Sequence, residues 1–173
     1  MHNPIFLVGM PGAGKTTIGQ LLSAELNMPF IDLDEYIEAQ QGKTVREIFA
    51  AEGEVFFREL EKNALHELVQ KAEGAIVATG GGAPCFHNNM EFMNEVGTTI
   101  YLKAPEEILV ERLLGYGHRP LIAGKTPEEV KLFISETLSK RSQFYEAAHV
   151  TYQNPGLDIT DLCLFIKRIE SSC

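Results

Sequence analysis

The chain has 173 residues, 45% hydrophobic and 23% charged, with a net charge of −9. That length and mix suit one domain, residues 1–173, that buries its own core, and they exclude disorder as the main state. The acid excess argues against nucleic acid and anionic membrane as partners, so any anionic ligand must be held by a local cluster of positive groups. Cys85, Cys163 and Cys173 form no C-x-x-C pair, which points to free thiols rather than a zinc site or disulfide framework. The short apolar stretch after Pro4 is too brief for a signal-peptide core, and no run reaches membrane-spanning length. The expectation is a cytoplasmic protein, and the size suggests a monomer.

Short β-type runs alternate with longer helical patterns. Ile5–Val8 reads as a strand and Thr16–Leu26 as a helix. Pro29–Leu33 is a second strand, and Glu35–Gln41 and Val45–Ala51 are short helices, with Thr44 and Glu47 at capping-box spacing before the latter. Glu54–Lys71 is helical, with Phe57, Leu60, Ala64, Leu65 and Leu68 on one face. Ala75–Ala78 is a third strand, ended by Gly80–Gly82. Asn89–Val96 is a helix and Thr98–Leu102 a fourth strand. A helix with Pro105 at its first position runs to about Leu114. Gly115–Gly124 reads as a loop. Thr126 to Glu129 is a capping box opening a helix to about Ala148. Val150–Tyr152 is a fifth strand and Thr160–Ile169 a closing helix. Phe6, Phe144 and Phe165 are expected in the core. The alternation predicts an α/β fold: a five-stranded parallel sheet in a three-layer α/β/α arrangement, with ligands beyond the carboxyl ends of the strands.

Gly9-x4-Gly14-Lys15-Thr16 fits the phosphate-loop pattern, here between a strand and a helix, within a loop spanning residues 9–17. Glycines let successive N–H groups turn toward one anion, and the following helix adds its positive end. Gly12, Ala13, Gly14, Lys15, Thr16 and Thr17 are therefore candidates for nucleotide binding. Lys15 reaches the β- and γ-phosphates, and the Thr16 hydroxyl is a ligand for one Mg²⁺ per ATP. Asp32 and Asp34 end the second strand, where residues two apart point the same way toward that loop. One carboxylate can serve the metal and the other can take a proton from an attacking hydroxyl. Asp34 is also well placed to cap the next helix. No Walker B aspartate follows the third strand, where Thr79 stands, so Asp32 is its substitute.

Together, "GMPGAGKTT", "IDLDEYIE", "FFRELE", "ATGGGA", "RPLI", "KRSQFYEAA" and "NPG" make the chain resemble the shikimate kinases, a group with the P-loop NTPase, nucleoside-monophosphate-kinase-like fold and a mobile lid. The resemblance spans the whole length. It implies ATP-dependent phosphorylation of the 3-hydroxyl of shikimate, in aromatic amino-acid biosynthesis. Asp34 resembles the residue that holds the shikimate hydroxyls and takes the proton, and Asp32 the one that serves magnesium. Arg58 and Arg141 resemble the substrate-binding arginines, and Gly80, Gly81 and Gly82 the wall behind the ring. Phe49, Phe57 and Glu61 match pocket-lining positions, and Pro11 borders the acceptor. Arg119 resembles the lid arginine, and Arg112 and Pro155 the pair that sandwiches adenine. The substrate-binding region is expected at about residues 33–61 and the lid at about 112–125.

From spacing alone, Arg58 pairs with Glu54 at i, i+4 and shares a helix face with Glu61. A gluconate or nucleotide kinase is the nearest alternative reading. A nucleotide-dependent regulatory switch is the alternative from another class, although the guanine-reading N-K-x-D pattern is absent.

Overall fold

Strand β1 (Ile5–Val8) is buried at every residue, and so is β3 (Ile76–Ala78). Successive strand residues point to opposite faces, so burial without alternation means that both faces of the sheet are covered. The computed structural model describes residues 3–71, 74–115, 124–153 and 158–170. β2 (Phe30–Asp32), β4 (Thr98–Lys103) and β5 (Val150–Gln153) complete a five-stranded sheet in the order β2-β3-β1-β4-β5. Every pairing is parallel, and Ile5 lies level with both Ile76 and Thr98. The predicted α/β architecture and all five strands are present, with end shifts of a residue or so.

The helices are α1 (Lys15–Leu26), α2 (Leu33–Gln41), α3 (Val45–Lys71), α4 (Asn89–Val96), α5 (Glu106–Gly115), α6 (Pro127–Tyr145) and α7 (Thr160–Glu170). The capping boxes form as spacing predicts. The Thr44 hydroxyl accepts from the Glu47 amide at 3.2 Å while the Glu47 carboxylate accepts from the Thr44 amide at 2.8 Å. Thr126 and Glu129 make the same reciprocal pair. α3 runs through both predicted helices but breaks at Gly53, whose φ of 82° and ψ of 175° suit glycine. α6 ends at Tyr145 rather than Ala148, and Tyr145, not Phe144, fills the core there with no exposure. A 3-10 turn, Ala83–Cys85, follows the glycines after β3.

The strand order places a topological switch at β1. The chain goes to one side of β1 for β2 and β3, then to the other for β4 and β5. The crevice of a parallel sheet opens at such a point, beyond the carboxyl ends of the strands. The segments after β1, β2 and β3 therefore meet there. Among the described residues, no helix is long and apolar enough to cross a membrane.

Candidate active site

The loop after β1 closes through Ala13 N–H donating to Met10 O at 3.1 Å. Gly14 caps α1 with φ 92° and offers no side-chain acceptor, and α1 has no acidic residue in its first turn. The N–H groups of that turn thus face a site with no negative side chain of their own helix, which favours an anion. Thr17 lies exposed in the same turn. Lys15 folds back over the loop, its Nζ donating to Gly9 O and Met10 O at 2.9 Å each. From α5, Arg112 Nη1 reaches Gly12 O at 3.2 Å and Ala13 O at 3.3 Å, bracing the loop from behind. Arg119 and Pro155 lie outside the described residues.

The two aspartates do not share a strand face. β2 stops at Asp32, and Asp34 already lies in the first turn of α2. The cap is Asp32: its Oδ1 accepts from Asp34 N–H at 3.0 Å and from Glu35 N–H at 3.4 Å. Its other oxygen, Oδ2, accepts from the Thr16 hydroxyl at 2.8 Å. One carboxylate thus joins the phosphate loop to the helix that carries Asp34. The Thr16–Asp32 pair supplies only oxygen donors, as a hard cation such as Mg²⁺ requires when phosphates provide the remaining ligands. Among the described residues, no group of three His, Cys, Asp or Glu is gathered for a metal. Thr79 is structural here: its hydroxyl and amide both donate to Leu7 O at 3.1 Å, tying β3 to β1.

Asp34 sits between the loop and the glycine wall. Burial, then the neighbouring Asp32 charge, raises its pKa to about 6, against the opposing pull of Lys15 and Arg58. Glu61 is fully buried, and its pKa is raised to about 7, chiefly by burial and in spite of Arg58. Arg58 Nη1 donates to Glu61 Oε2 at 2.8 Å, and Nη2 to Glu54 Oε1 at 3.1 Å. Its guanidinium carbon lies 4.4 Å from the Phe86 ring centroid, 5.4 Å from Phe57 and 5.8 Å from Phe49. Rings and carboxylates thus fix the charge in place. The spacing-based surface pair Glu54–Arg58 exists, but Arg58 is 7% exposed and belongs to the interior cluster.

The glycines explain themselves by what a Cβ would meet. At Gly80 it would lie 2.8 Å from Glu61 Oε1 and 3.0 Å from Asp34 Oδ1; at Gly82, 2.5 Å from Arg58 Nη2. At Gly81 it would strike Pro11 Cδ at 2.8 Å, so the phosphate loop packs directly against this glycine. Arg141, from α6, is close enough to lower the pKa of Glu61, Cys85 and Tyr145 below what burial alone would give. Glu61 Oε1 is buried with no hydrogen-bond partner among the described residues. A buried carboxylate oxygen left so needs a donor, and a hydroxylated ligand at the wall can supply one.

Two neighbours escaped the sequence reading. Phe86 is the nearest of the three rings to Arg58, and no periodicity marks it. Tyr145 donates its hydroxyl proton to Gly81 O at 2.5 Å. The available signal was its place four residues after Arg141, on the same helix face.

Known proteins resemble this chain over most of its length. The family model described as shikimate kinase matches residues 11–161. A shikimate kinase from Bacteroides fragilis is 52% identical over 86% of this chain and 83% of its own length. The crystal structure of shikimate kinase from Bacteroides thetaiotaomicron aligns with TM-score 0.87 and 43% identity, covering 98% of this chain and 97% of that one. Shikimate kinase from Acinetobacter baumannii in complex with shikimate aligns with TM-score 0.84 and 37% identity, over 99% of this chain and 94% of that one. The chain belongs to the shikimate kinase family.

Proposed function

We propose that this chain transfers the γ-phosphoryl group of ATP to the 3-hydroxyl of shikimate through the residues gathered at the carboxyl edge of its sheet. The observation that carries the assignment is the convergence on one wall of Asp34, Arg58, Glu61 and Gly80–Gly82, next to the phosphate loop. Shikimate has one carboxylate and several hydroxyls, which suits two arginines with two carboxylates. Arg58 and Arg141 hold the carboxylate end, and Asp34 and Glu61 accept from hydroxyls.

ATP lies on the loop, its phosphates on the N–H groups of Gly12 to Thr17 and on Lys15, with Arg112 and Pro155 at the adenine. Thr16 and Asp32 would hold Mg²⁺, which neutralises charge on the phosphate oxygens when bound. The shikimate oxygen bonds to the γ-phosphorus in line as the bond to the β-bridging oxygen breaks, and ADP leaves. Asp34 accepts the hydroxyl proton. The transition state is loose, so a strong base is not needed and positioning dominates. Lys15 and Arg119 stabilise the charge, and closure of residues 112–125 excludes water that would otherwise hydrolyse ATP. The chain works as a single-domain monomer in the cytoplasm, a reading supported by its size and acidic balance.

A coupled ADP-release assay with shikimate, gluconate and nucleoside monophosphates tests the assignment. Turnover dependent on shikimate is expected; turnover with another acceptor, or rapid ATP hydrolysis indifferent to shikimate, would overturn it.

A further inference from the structure

We infer that Tyr145 is a positioning residue for the acceptor, its hydroxyl fixing the Gly81–Gly82 peptide and so setting the wall on which shikimate rests. The inference depends on the reading of Gly80–Gly82 as that wall. Three consecutive glycines have no side chains to restrain them and the widest choice of backbone angles, so something else must hold their shape. The Gly80 carbonyl accepts from Ala83 N–H at 3.1 Å and the Gly82 carbonyl from Cys85 N–H at 2.9 Å, both within the turn itself. The Gly81 carbonyl is held from outside, by Tyr145.

A phenol has one proton to donate. The 2.5 Å distance to Gly81 O assigns it there; Arg141 approaches the same hydroxyl as a donor, Met10 Sδ lies 3.9 Å away, and the Tyr101 ring packs at 5.3 Å between centroids. The peptide group is planar and trans, so its C=O and N–H point in opposite directions. Pulling Gly81 O toward α6 therefore turns the Gly82 N–H away from α6. Gly82 is also the position where an added Cβ would strike the Arg58 guanidinium. Burial pushes the Tyr145 phenol above its ordinary range, which keeps it a donor at working pH. Packing alone would accept phenylalanine at this fully buried position; the hydroxyl needs the partner that Gly81 provides. Tyr145 stands one turn beyond Arg141, so α6 delivers one acceptor-binding arginine and the anchor of the wall together.

Tyr145→Phe removes one oxygen and keeps the ring. Expected results are a KM for shikimate raised about tenfold, from one lost hydrogen bond to a buried carbonyl, with the KM for ATP close to the unsubstituted value and a melting temperature lower by a few degrees because Gly81 O is left unpaired. Tyr145→Leu should repeat the shikimate defect and lower the melting temperature further, since the buried ring is lost as well. Gly82→Ala reports on the wall itself. If it leaves the shikimate KM unchanged, the wall reading fails. If it raises that KM while Tyr145→Phe does not, the inference about Tyr145 fails alone. Equal rises in both KM values for Tyr145→Phe would make the hydroxyl merely structural and overturn the inference. In the unsubstituted enzyme, shikimate should shift the NMR signal of the Tyr145 hydroxyl proton, and a signal indifferent to shikimate also overturns it.

Discussion

Replacing Asp34 by asparagine should make the enzyme slower and sturdier at once. Asparagine has nearly the same shape and no charge. The folded protein raises this carboxyl from 3.8 to about 6, mainly by burying it. An acid whose folded pKa lies above its unfolded value binds its proton more tightly when folded. Below about pH 4 both states are protonated and nothing is lost; as pH rises through 6 the folded state must carry a buried charge, and stability falls. A gap of about two pH units is worth about 3 kcal/mol. Asparagine avoids that cost, so at pH 8 the variant should gain up to about 3 kcal/mol, or a melting temperature higher by about 6–12 °C for a chain of this size. At pH 4 the gain should vanish. Turnover with shikimate should drop by about 10²–10⁴-fold while nucleotide binding persists. Urea unfolding at the two pH values, nucleotide titration and the ADP-release assay measure all of this. Equal stabilisation at pH 4 and pH 8 would refute the burial argument, and normal turnover would refute the role in proton transfer.

Three further outcomes follow from particular contacts. Gly80→Ala would push a methyl group against Glu61 Oε1 and Asp34 Oδ1, so kcat/KM for shikimate should fall by about tenfold or more while ATP affinity holds, as steady-state kinetics would show. Glu38→Gln keeps the acceptor for Val45 N–H but removes a charge that raises the Asp34 pKa; the acid limb of the kcat/KM profile, expected near pH 6, should move to lower pH. Gly53→Ala meets no atom within 4 Å, so its cost is purely that of φ 82°, about 1–3 kcal/mol in urea unfolding; a neutral result would mean that the break in α3 is not conformationally demanding.

The elements and their order were legible because apolar runs, glycines and capping pairs are local signals. Thr44–Glu47 and Thr126–Glu129 formed as their spacing required. The phosphate loop was legible for the same reason: one stretch of chain makes it. Which aspartate caps α2 was not, since both Asp32 and Asp34 precede apolar helical positions and the choice turns on where β2 stops. Tyr145 and Phe144 differ by one step around a helix, which periodicity resolves poorly, yet only Tyr145 is fully buried. By spacing alone Arg58 looked like half of a surface pair with Glu54, because spacing reveals a shared face, not what covers it. Phe86 and the glycines that close over that face come from a later part of the chain.

The placement of β1 also fixes the order in which the protein becomes competent during synthesis. The phosphate loop emerges near the front of the chain, but what holds it in shape arrives later. β1 gains its neighbours only when residues 76–78 and 98–103 exist, and Arg112 braces the loop later still. Until then β1 has bare edges and the loop has no frame. ATP is therefore expected to give little help to a nascent chain, because the loop lacks these contacts until Arg112 has been made. Such non-local pairing also belongs to the slower class of folding reactions. Stabilisation by substrate acts on the finished enzyme, after its central strand has been enclosed.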